Sequence, residues 1–188
     1  MPSSGSKAAK IISVTNQKGG VGKTTTTINL AAALSQLKKK VLIIDLDPQG
    51  NASTGLGVEV EDRELSTYEF LVEGAPLEKV AMETEISGLS IVPATIDLSS
   101  ADIDLISNEK RSHLLHEALR KKQENKKKYD FILIDCPPSL NILTVNAMVA
   151  SHSVLIPLQS EFFALEGLSQ LLLTVKEVRQ TANENLRV

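Results

Sequence analysis

Residues 16–31 read NQKGGVGKTTTTINLA, and this stretch decides the predicted fold. It follows a short β-rich run, Ile11–Thr15, and leads into Thr24–Lys40, where leucines recur at helical spacing. A glycine-rich turn between a strand and a helix collects backbone N–H groups and a helix amino terminus, which together can hold a phosphate group. The pattern therefore predicts a phosphate-binding loop at residues 18–25.

Outside this loop the chain alternates apolar runs with helical stretches. Continuous apolar runs are typical of strands covered on both faces, and strands separated by helices predict parallel βαβ units. The predicted fold class is therefore α/β, with a doubly wound and mostly parallel sheet of the P-loop NTPase type. The strand-like runs are Val41–Ile44, Leu89–Val92, Phe131–Ile134 and Val154–Leu158, and the helical stretches are Ser66–Val72, Leu105–Lys122 and Leu165–Gln180.

The domain organisation follows from how composition changes along the chain. The first ten residues, MPSSGSKAAK, are small, polar and basic, which indicates a flexible tail at residues 1–10. No repeat or Gly/Ser linker divides residues 11–188, and a chain of 188 residues suits one domain. Asn185–Val188 looks like the start of a further strand after the last helix. We therefore expect one P-loop domain that lacks its last carboxyl-terminal units.

Composition argues against several classes of protein. Apolar residues make up 42% of the chain but aromatic residues only 3%, which predicts a core of aliphatic side chains. The formal net charge of -3 argues against a polybasic protein that coats DNA. The single cysteine, Cys136, cannot form an internal disulfide or a cysteine-ligated metal site, which favours a reducing, cytoplasmic setting. No apolar stretch of the sequence reaches the roughly 18–20 residues of a membrane span, so we expect neither a secreted nor a membrane-spanning protein.

The residue types inside the loop suit a nucleoside triphosphate with its metal ion. Glycines allow the backbone N–H groups to approach an anion without Cβ clashes. Lys23 supplies a positive charge to the β- and γ-phosphates, and the Thr24 hydroxyl supplies a ligand for Mg²⁺. The predicted contact residues are Lys18, Gly19, Gly20, Val21, Gly22, Lys23, Thr24 and Thr25.

Lys18 departs from the standard loop pattern. That pattern has a glycine where this chain has Gln17, and Lys18 follows at the mouth of the loop. Lys18 is either a solvated surface lysine or a counterpart of an arginine finger, reaching a phosphate bound by a second subunit. The second interpretation buries the nucleotide between two copies of the protein.

Three aspartates follow apolar strands, where ligands collect in an open α/β sheet. Asp135 ends one strand and is the predicted magnesium partner, because Mg²⁺ prefers carboxylate oxygens on rigid elements. Asp45 and Asp47 point to opposite sides if their strand continues, so one can brace the site while the other positions the attacking water. Either could instead be an ordinary turn or cap residue.

Two polar segments beside these carboxylates are candidate switches. Residues 47–53, DPQGNAS, form a glycine-containing segment beside the expected γ-phosphate. Residues 135–139, DCPPS, leave the next strand with two stiffening prolines. Such segments can order with bound triphosphate and relax after hydrolysis.

Four segments of the chain carry a family resemblance. They are NQKGGVGKTTTTINLA at residues 16–31, VLIIDLDPQGNASTGLG at 41–57, YDFILIDCPPSL at 129–140 and VLIPLQSEFFALEGL at 154–168. They resemble the ParA/Soj family of partitioning ATPases, within the MinD-like deviant Walker A group. The resemblance implies an ATPase that takes ATP and Mg²⁺, forms a sandwich homodimer with ATP and binds DNA non-specifically in that state. It also implies weak hydrolysis that a ParB-like partner stimulates, and a cytoplasmic, nucleoid-associated location.

The resemblance also implies a role for five residues. It makes Lys18 the intersubunit signature lysine and Lys23 the phosphate-loop lysine. It makes Thr24 a magnesium ligand, Asp135 the Walker B aspartate and Asp47 the switch carboxylate for hydrolysis. The implied catalytic set is therefore Lys18, Lys23 and Asp47, with Thr24 and Asp135 at the metal.

Other functions stay open at this point. A related ATPase could position another cargo, as MinD-like proteins do at division sites. A metabolic P-loop enzyme or an iron–sulfur reductase would share the loop, but a reductase needs more cysteines than Cys136. The basic run at residues 120–128 is either a solvated helix end or a patch that contacts phosphates. His113 and His116 share a helix face without carboxylate company, and His152 is interpreted as structural.

Overall fold

A six-stranded sheet forms the centre of the fold. The computed structural model describes residues 8–120, 129–160 and 164–188. The strands are β1 (Lys10–Val14), β2 (Val41–Asp45), β3 (Met82–Glu83), β4 (Leu89–Val92), β5 (Phe131–Asp135) and β6 (Ser153–Leu155). Their order in the sheet is β3-β4-β2-β5-β1-β6, and every pairing is parallel except that of β3 with β4. The predicted α/β class with a mostly parallel sheet is confirmed.

Helices connect the strands. Two short 3₁₀ turns, Val60–Asp62 and Ile96–Ser100, lie between them. The α-helices of the described residues are α1 (Lys23–Gln36), α2 (Asn51–Gly55), α3 (Thr67–Leu71), α4 (Leu77–Val80), α5 (Ala101–Asp104), α6 (Leu114–Arg120), α7 (Ile142–Ala150) and α8 (Ala164–Thr181). None of these helices combines the length and the apolar character that crossing a bilayer requires.

Three predicted elements differ from the observed ones. The predicted helix Leu105–Lys122 is wrong in its first half, where the Asn108 side chain accepts a hydrogen bond from the backbone of Lys110 and favours a turn. Helix α1 ends at Gln36 because Lys38 adopts a left-handed conformation with φ of 62°. Strand β6 ends at Leu155, before a proline that cannot donate to a ladder.

The apolar side chains of β2 pack into the cores on both faces of the sheet. Leu42 and Ile44 belong to the larger core cluster, together with side chains of α3, α5, α6 and α7. Val41 and Ile43 belong to the opposite cluster, together with side chains of α1 and α2. Alternate side chains of a strand point to opposite faces, so a continuous apolar run is what a sheet covered on both sides needs.

The register of the sheet brings the predicted site residues to one edge. Val14 pairs with Asp135, and Asp45 pairs with Asp135. The carboxyl ends of β1, β2 and β5 therefore lie side by side, with the glycine-rich loop leaving from β1.

Parts of the sequence predictions lie outside the described residues. These are residues 1–7 of the predicted tail, residues 121–128, which make up most of the basic run, and residues 161–163 of the fourth resembling segment. Strand β1 begins at Lys10. At the other end of the chain, Arg187 forms a single parallel bridge with Ser153 of β6.

Candidate nucleotide-binding site

The glycine-rich loop forms an open concavity between β1 and α1. Gly20 and Gly22 have φ angles of 74° and 86°, which favour glycine because L side chains are strained there. A Cβ placed on either residue would meet no atom within 4 Å, so the loop leaves free space above it. Gly22 also offers no side-chain cap to α1, which leaves the first-turn N–H groups available to an anion.

Lys23 projects from the start of α1 into the site. It is 7% exposed, and its Nζ donates a hydrogen bond to the carbonyl oxygen of Lys18 at 3.0 Å. Burial lowers the pKa of Lys23, against the opposing influence of Asp135 and Asp47. The ammonium group therefore lies among carboxylates at the floor of the loop, where it can meet a phosphate.

Asp135 presents a buried carboxylate with one free oxygen. Its Oδ1 accepts a hydrogen bond from the Thr27 hydroxyl at 3.1 Å. Its Oδ2 is buried and accepts no hydrogen bond from the described residues. Burial raises the pKa of Asp135 to about 7, while the Thr24 and Thr27 hydroxyls act in the opposite direction. A buried oxygen of this kind fits a divalent cation, which would replace the missing hydrogen bond.

The other ligands of such a cation would not be protein carboxylates. The described residues contain no group of three or more His, Cys, Asp or Glu side chains placed to hold a metal ion. Mg²⁺ commonly takes only one or two carboxylates and completes its shell with phosphate oxygens and water. Asp135 and the Thr24 hydroxyl suit that mode of binding, with Mg²⁺ supplying charge neutralisation at the phosphates.

Asp45 organises the chain that carries Asp47. Asp45 Oδ1 accepts a hydrogen bond from the N–H of Asp47 at 3.1 Å, and Oδ2 accepts two from Ser53, at 2.9 Å from its N–H and 2.7 Å from its hydroxyl. Asp45 is fully buried, and burial raises its pKa to about 6. Asp47 Oδ1 accepts a hydrogen bond from the N–H of Gln49 at 3.0 Å. Of the two carboxylates, Asp45 therefore has the bracing position and Asp47 lies nearer the loop lysine.

The remaining predicted contact residues surround this centre. Val21 is buried and anchors the loop, whereas Thr25 is exposed on the first turn of α1. Lys18 is half-buried at the start of the loop. Cys136 is buried directly after Asp135, and burial raises the pKa of its thiol, so it has no reactive character here.

The amino-acid sequence of this chain is similar to those of known proteins. The AAA domain family matches residues 9–188 of the chain. The sporulation initiation inhibitor protein Soj of Bacillus subtilis is 50% identical over 179 residues, which cover 95% of this chain and 70% of that protein. The chromosome partitioning protein ParA of Caulobacter vibrioides is also 50% identical over 179 residues, which cover 95% of this chain and 67% of that protein. The chain belongs to the ParA/Soj family.

A solved structure shows the ligands that a relative of this ParA/Soj chain holds. The structure of cobyrinic acid a,c-diamide synthase from Mycobacterium smegmatis with bound ATP analogue and magnesium matches with a TM-score of 0.89 and 38% identity. The match covers 96% of this chain and 72% of that chain. The predicted family is confirmed. The ATP analogue and magnesium in that structure agree with ATP and Mg²⁺, the predicted cofactors.

Sequence reasoning missed two amides that support the loop of this ParA/Soj chain. The Asn16 side chain accepts a hydrogen bond from the N–H of Lys18 at 3.0 Å and donates one to the carbonyl oxygen of Pro157 at 2.8 Å. Gln159 Nε2 donates to the carbonyl oxygen of Gly20 at 3.2 Å. Both residues tie the loop to the chain that follows β6. Their only sequence signal is that they flank the ends of apolar strands.

Arg63 is a third residue that sequence reasoning missed. It lies after α2 and is only 7% exposed, which is unusual for an arginine. The surrounding sequence, EVEDRE, is strongly charged and reads as a surface loop. Nothing local distinguishes this buried arginine from an exposed one.

Proposed function

We propose that this protein is the ATP-driven switch of a chromosome or plasmid partition system. It dimerises around ATP and Mg²⁺, binds DNA non-specifically in that state, and hydrolyses ATP weakly until a ParB-like partner stimulates it. The observation that carries the proposal is the open loop with Lys23 at its floor and the unpartnered Oδ2 of Asp135 beside it. The relatives, a Soj and a chromosome partitioning ParA, support the partition role.

Each site residue has a proposed role. Residues 18–25 hold the phosphates through backbone N–H groups, and Lys23 neutralises the β- and γ-phosphates. Thr24 and Asp135 hold Mg²⁺ between them. Asp47 positions the attacking water for hydrolysis. Residues 11–188 form the ATPase domain that carries all of these groups.

Lys18 supplies the proposed link between nucleotide and dimer. Its position at the mouth of the loop suits a side chain that reaches a phosphate held by a second copy. Dimerisation then buries the nucleotide and excludes water from the site, which strengthens every charge interaction inside it. DNA binding, the ParB-like partner and a nucleoid-associated location in the cytoplasm are proposed from the family resemblance rather than from this geometry.

The deciding experiment measures molecular mass in solution. Wild-type protein is sized with ADP, with ATP and with a slowly hydrolysed ATP analogue, each with and without plasmid DNA. We expect a monomer with ADP, a dimer with ATP or the analogue, and a DNA complex only for the dimer. Lys18→Ala should stay monomeric throughout, while Lys79→Ala, an exposed lysine of α4, should behave as the wild type. A wild-type protein that stays monomeric in every condition would contradict the proposal.

A second candidate comes from the synthase match. A chain 38% identical to a cobyrinic acid a,c-diamide synthase could drive ATP-dependent amide formation instead. The two candidates differ in what raises ATP turnover. A synthase needs its acid substrate and an amide donor, whereas a partition ATPase, or a related ATPase that positions another cargo, responds to a partner protein. Turnover measured with cobyrinic acid and glutamine, and separately with a ParB-like protein and DNA, distinguishes them.

A further inference from the structure

A buried arginine holds the chain segment that carries Asp47. We propose that Arg63 is a positioning residue for this segment, residues 47–58. It fixes α2 directly, and through Ser53 it fixes the backbone at Asp47. The inference rests on the proposed function, in which Asp47 positions the attacking water.

The Arg63 guanidinium joins three points of the chain. Nη2 donates to the carbonyl oxygen of Val58 at 2.7 Å and to the Thr54 hydroxyl at 2.7 Å. Nε donates to the same Val58 oxygen at 3.3 Å, and Nη1 donates to the carbonyl oxygen of Ala94 at 3.0 Å. All of these acceptors are neutral, and no carboxylate among the described residues lies within ion-pair distance of Arg63. A buried cation is costly unless it is hydrogen-bonded. The Arg63 guanidinium meets this requirement through neutral acceptors, so its role depends on where its N–H donors point rather than on an ion pair.

Ala94 connects Arg63 to the aspartates. Its carbonyl oxygen accepts from Arg63, and its N–H donates to the Ser53 hydroxyl oxygen at 3.0 Å. The Ser53 hydroxyl donates to Asp45 Oδ2 at 2.7 Å, and Asp45 Oδ1 accepts from the N–H of Asp47 at 3.1 Å. A continuous path of hydrogen bonds thus runs from the guanidinium to the backbone of Asp47.

Gly50 shows how closely the segment packs against Arg63. Its φ is 62°, and it precedes the first residue of α2. A Cβ on Gly50 would collide with the Arg63 guanidinium and would lie 3.0 Å from the carbonyl oxygen of Ala94. The segment and the guanidinium therefore pack so closely that only a glycine fits at position 50.

These contacts place the effect of Arg63 on hydrolysis rather than on ATP binding. Its partners all lie in the 47–58 segment and at Ala94, after β4. None of them lies in the phosphate loop. The hydrogen bonds tie residues 47–58 to Arg63 and to the chain after β4. A small displacement of a group that orients water is enough to slow turnover strongly.

The test compares Arg63→Met and Arg63→Lys with Arg111→Met, whose side chain is exposed. We expect Arg63→Met to raise amide hydrogen exchange in residues 47–58 about tenfold relative to α1. Its kcat for ATP should fall about tenfold while KM stays within about threefold. Arg63→Lys should recover part of both losses, because its ammonium can reach fewer of the three points. Arg111→Met should match the wild type.

Gly50→Ala provides a second route to the same contact. It strains the backbone at a φ of 62° and pushes against both the guanidinium and the carbonyl oxygen of Ala94, so it should raise exchange in residues 47–58. In the double variant the effects should be less than additive, because the collision partner is gone. If Arg63→Met does not fold, Arg63→Lys decides the question, because Gly50→Ala strains the backbone even without Arg63.

Two results overturn the inference. In the first, the folded Arg63 variants show the same hydrogen exchange in residues 47–58 and the same kcat as the wild type. In the second, the variants change KM while kcat is preserved. If the wild type itself hydrolyses no ATP, the proposed function fails, and hydrogen exchange alone then decides the role of Arg63.

Discussion

The surroundings of the Asp135 carboxylate disfavour its charged form. Asp135 is fully buried, and one of its oxygens has no hydrogen-bond partner among the described residues. Its charge interacts electrostatically with Lys23. In the absence of a cation, the charged form is disfavoured, and the pKa of Asp135 is raised to about 7. The buried carboxylate therefore lowers the stability of the folded protein wherever it is charged and has no bound cation.

Asp135→Asn should stabilise the nucleotide-free protein at pH 8. The folded protein holds the Asp135 proton more tightly than the unfolded chain does, since the pKa is raised to about 7. The free energy of unfolding therefore falls as pH rises towards 7, and the full decrease due to Asp135 is present above pH 7. We expect Asp135→Asn to have a higher Tm than the wild type at pH 8, with the difference shrinking towards pH 5. Asp62→Asn, at an exposed position, serves as the control in thermal scans. A lower Tm for Asp135→Asn at pH 8 would contradict this account.

Asp47→Asn should separate ATP binding from hydrolysis. The amide keeps an oxygen that can accept the hydrogen bond from Gln49, so the segment should keep its conformation. It cannot act as a base for the attacking water, which should lower turnover about 10²-fold. We expect the Kd for ATP to stay within about threefold of the wild type. The measurements are equilibrium binding of a labelled ATP analogue and phosphate release, with Asp97→Asn as a surface control. Unchanged turnover would remove Asp47 from the hydrolytic step.

The short helix α3 owes its position to local hydrogen bonds and to contacts with distant strands. Helix α3 begins with a capping box, in which the N–H of Tyr68 donates to Ser66 Oγ and the N–H of Ser66 donates to Glu69. Thr67 then donates its hydroxyl to the carbonyl oxygen of Asp45 at 2.7 Å. The capping signature is visible in the sequence, which is why the helix at residues 66–72 is predicted closely. Helix α7 is not predicted, because an apolar segment buried on most sides has no amphipathic period to detect.

Ser66→Ala should destabilise the protein through its effect on α3. The substitution leaves the Tyr68 N–H without its cap and removes a hydroxyl that donates to Glu69 at 2.7 Å. Loss of such a cap costs about 1 kcal/mol of unfolding free energy. Urea denaturation should show this decrease with an unchanged m-value. Ser107→Ala, at an exposed turn position, should leave the midpoint where it is. Equal midpoints for the two variants would show that the cap contributes nothing.

The whole molecule places its chemistry at one edge of a sheet that is covered on both faces. The carboxyl ends of β1, β2 and β5 meet there, and the glycine-rich loop opens above them. The opposite cores, with α1 and α2 on one side and α3, α5, α6 and α7 on the other, keep these strand ends rigid. A ligand bound at these strand ends stabilises the folded state over the unfolded one, because the site exists only in the folded sheet.

Magnesium ATP should therefore raise the Tm of the whole domain. A ligand present at 100 times its Kd stabilises the folded state by about 2.7 kcal/mol. We expect a clear upward shift in thermal scans with Mg²⁺ and ATP together, and a much smaller one with ATP and a chelator. Lys23→Met should lose most of the shift, while Lys79→Met at the exposed α4 position should keep it. A Tm that ignores magnesium ATP would count against the site itself.

Several features of this protein are determined by its sequence alone. The glycine-rich loop between β1 and α1, the apolar strands that end in Asp45 and Asp135, and the ParA/Soj membership can all be predicted from it. Each depends on residues close together in the chain, so a local pattern carries the signal.

Only the tertiary structure decided how the site is supported. It showed that Asp45 braces the segment carrying Asp47, and it joined Arg63 to Ala94 and Asn16 to Pro157. The partners in the last two pairs are 31 and 141 residues apart. Such contacts form only after the sheet has assembled, because they join strand ends that the sequence separates. A buried arginine and an exposed one look the same until that packing exists.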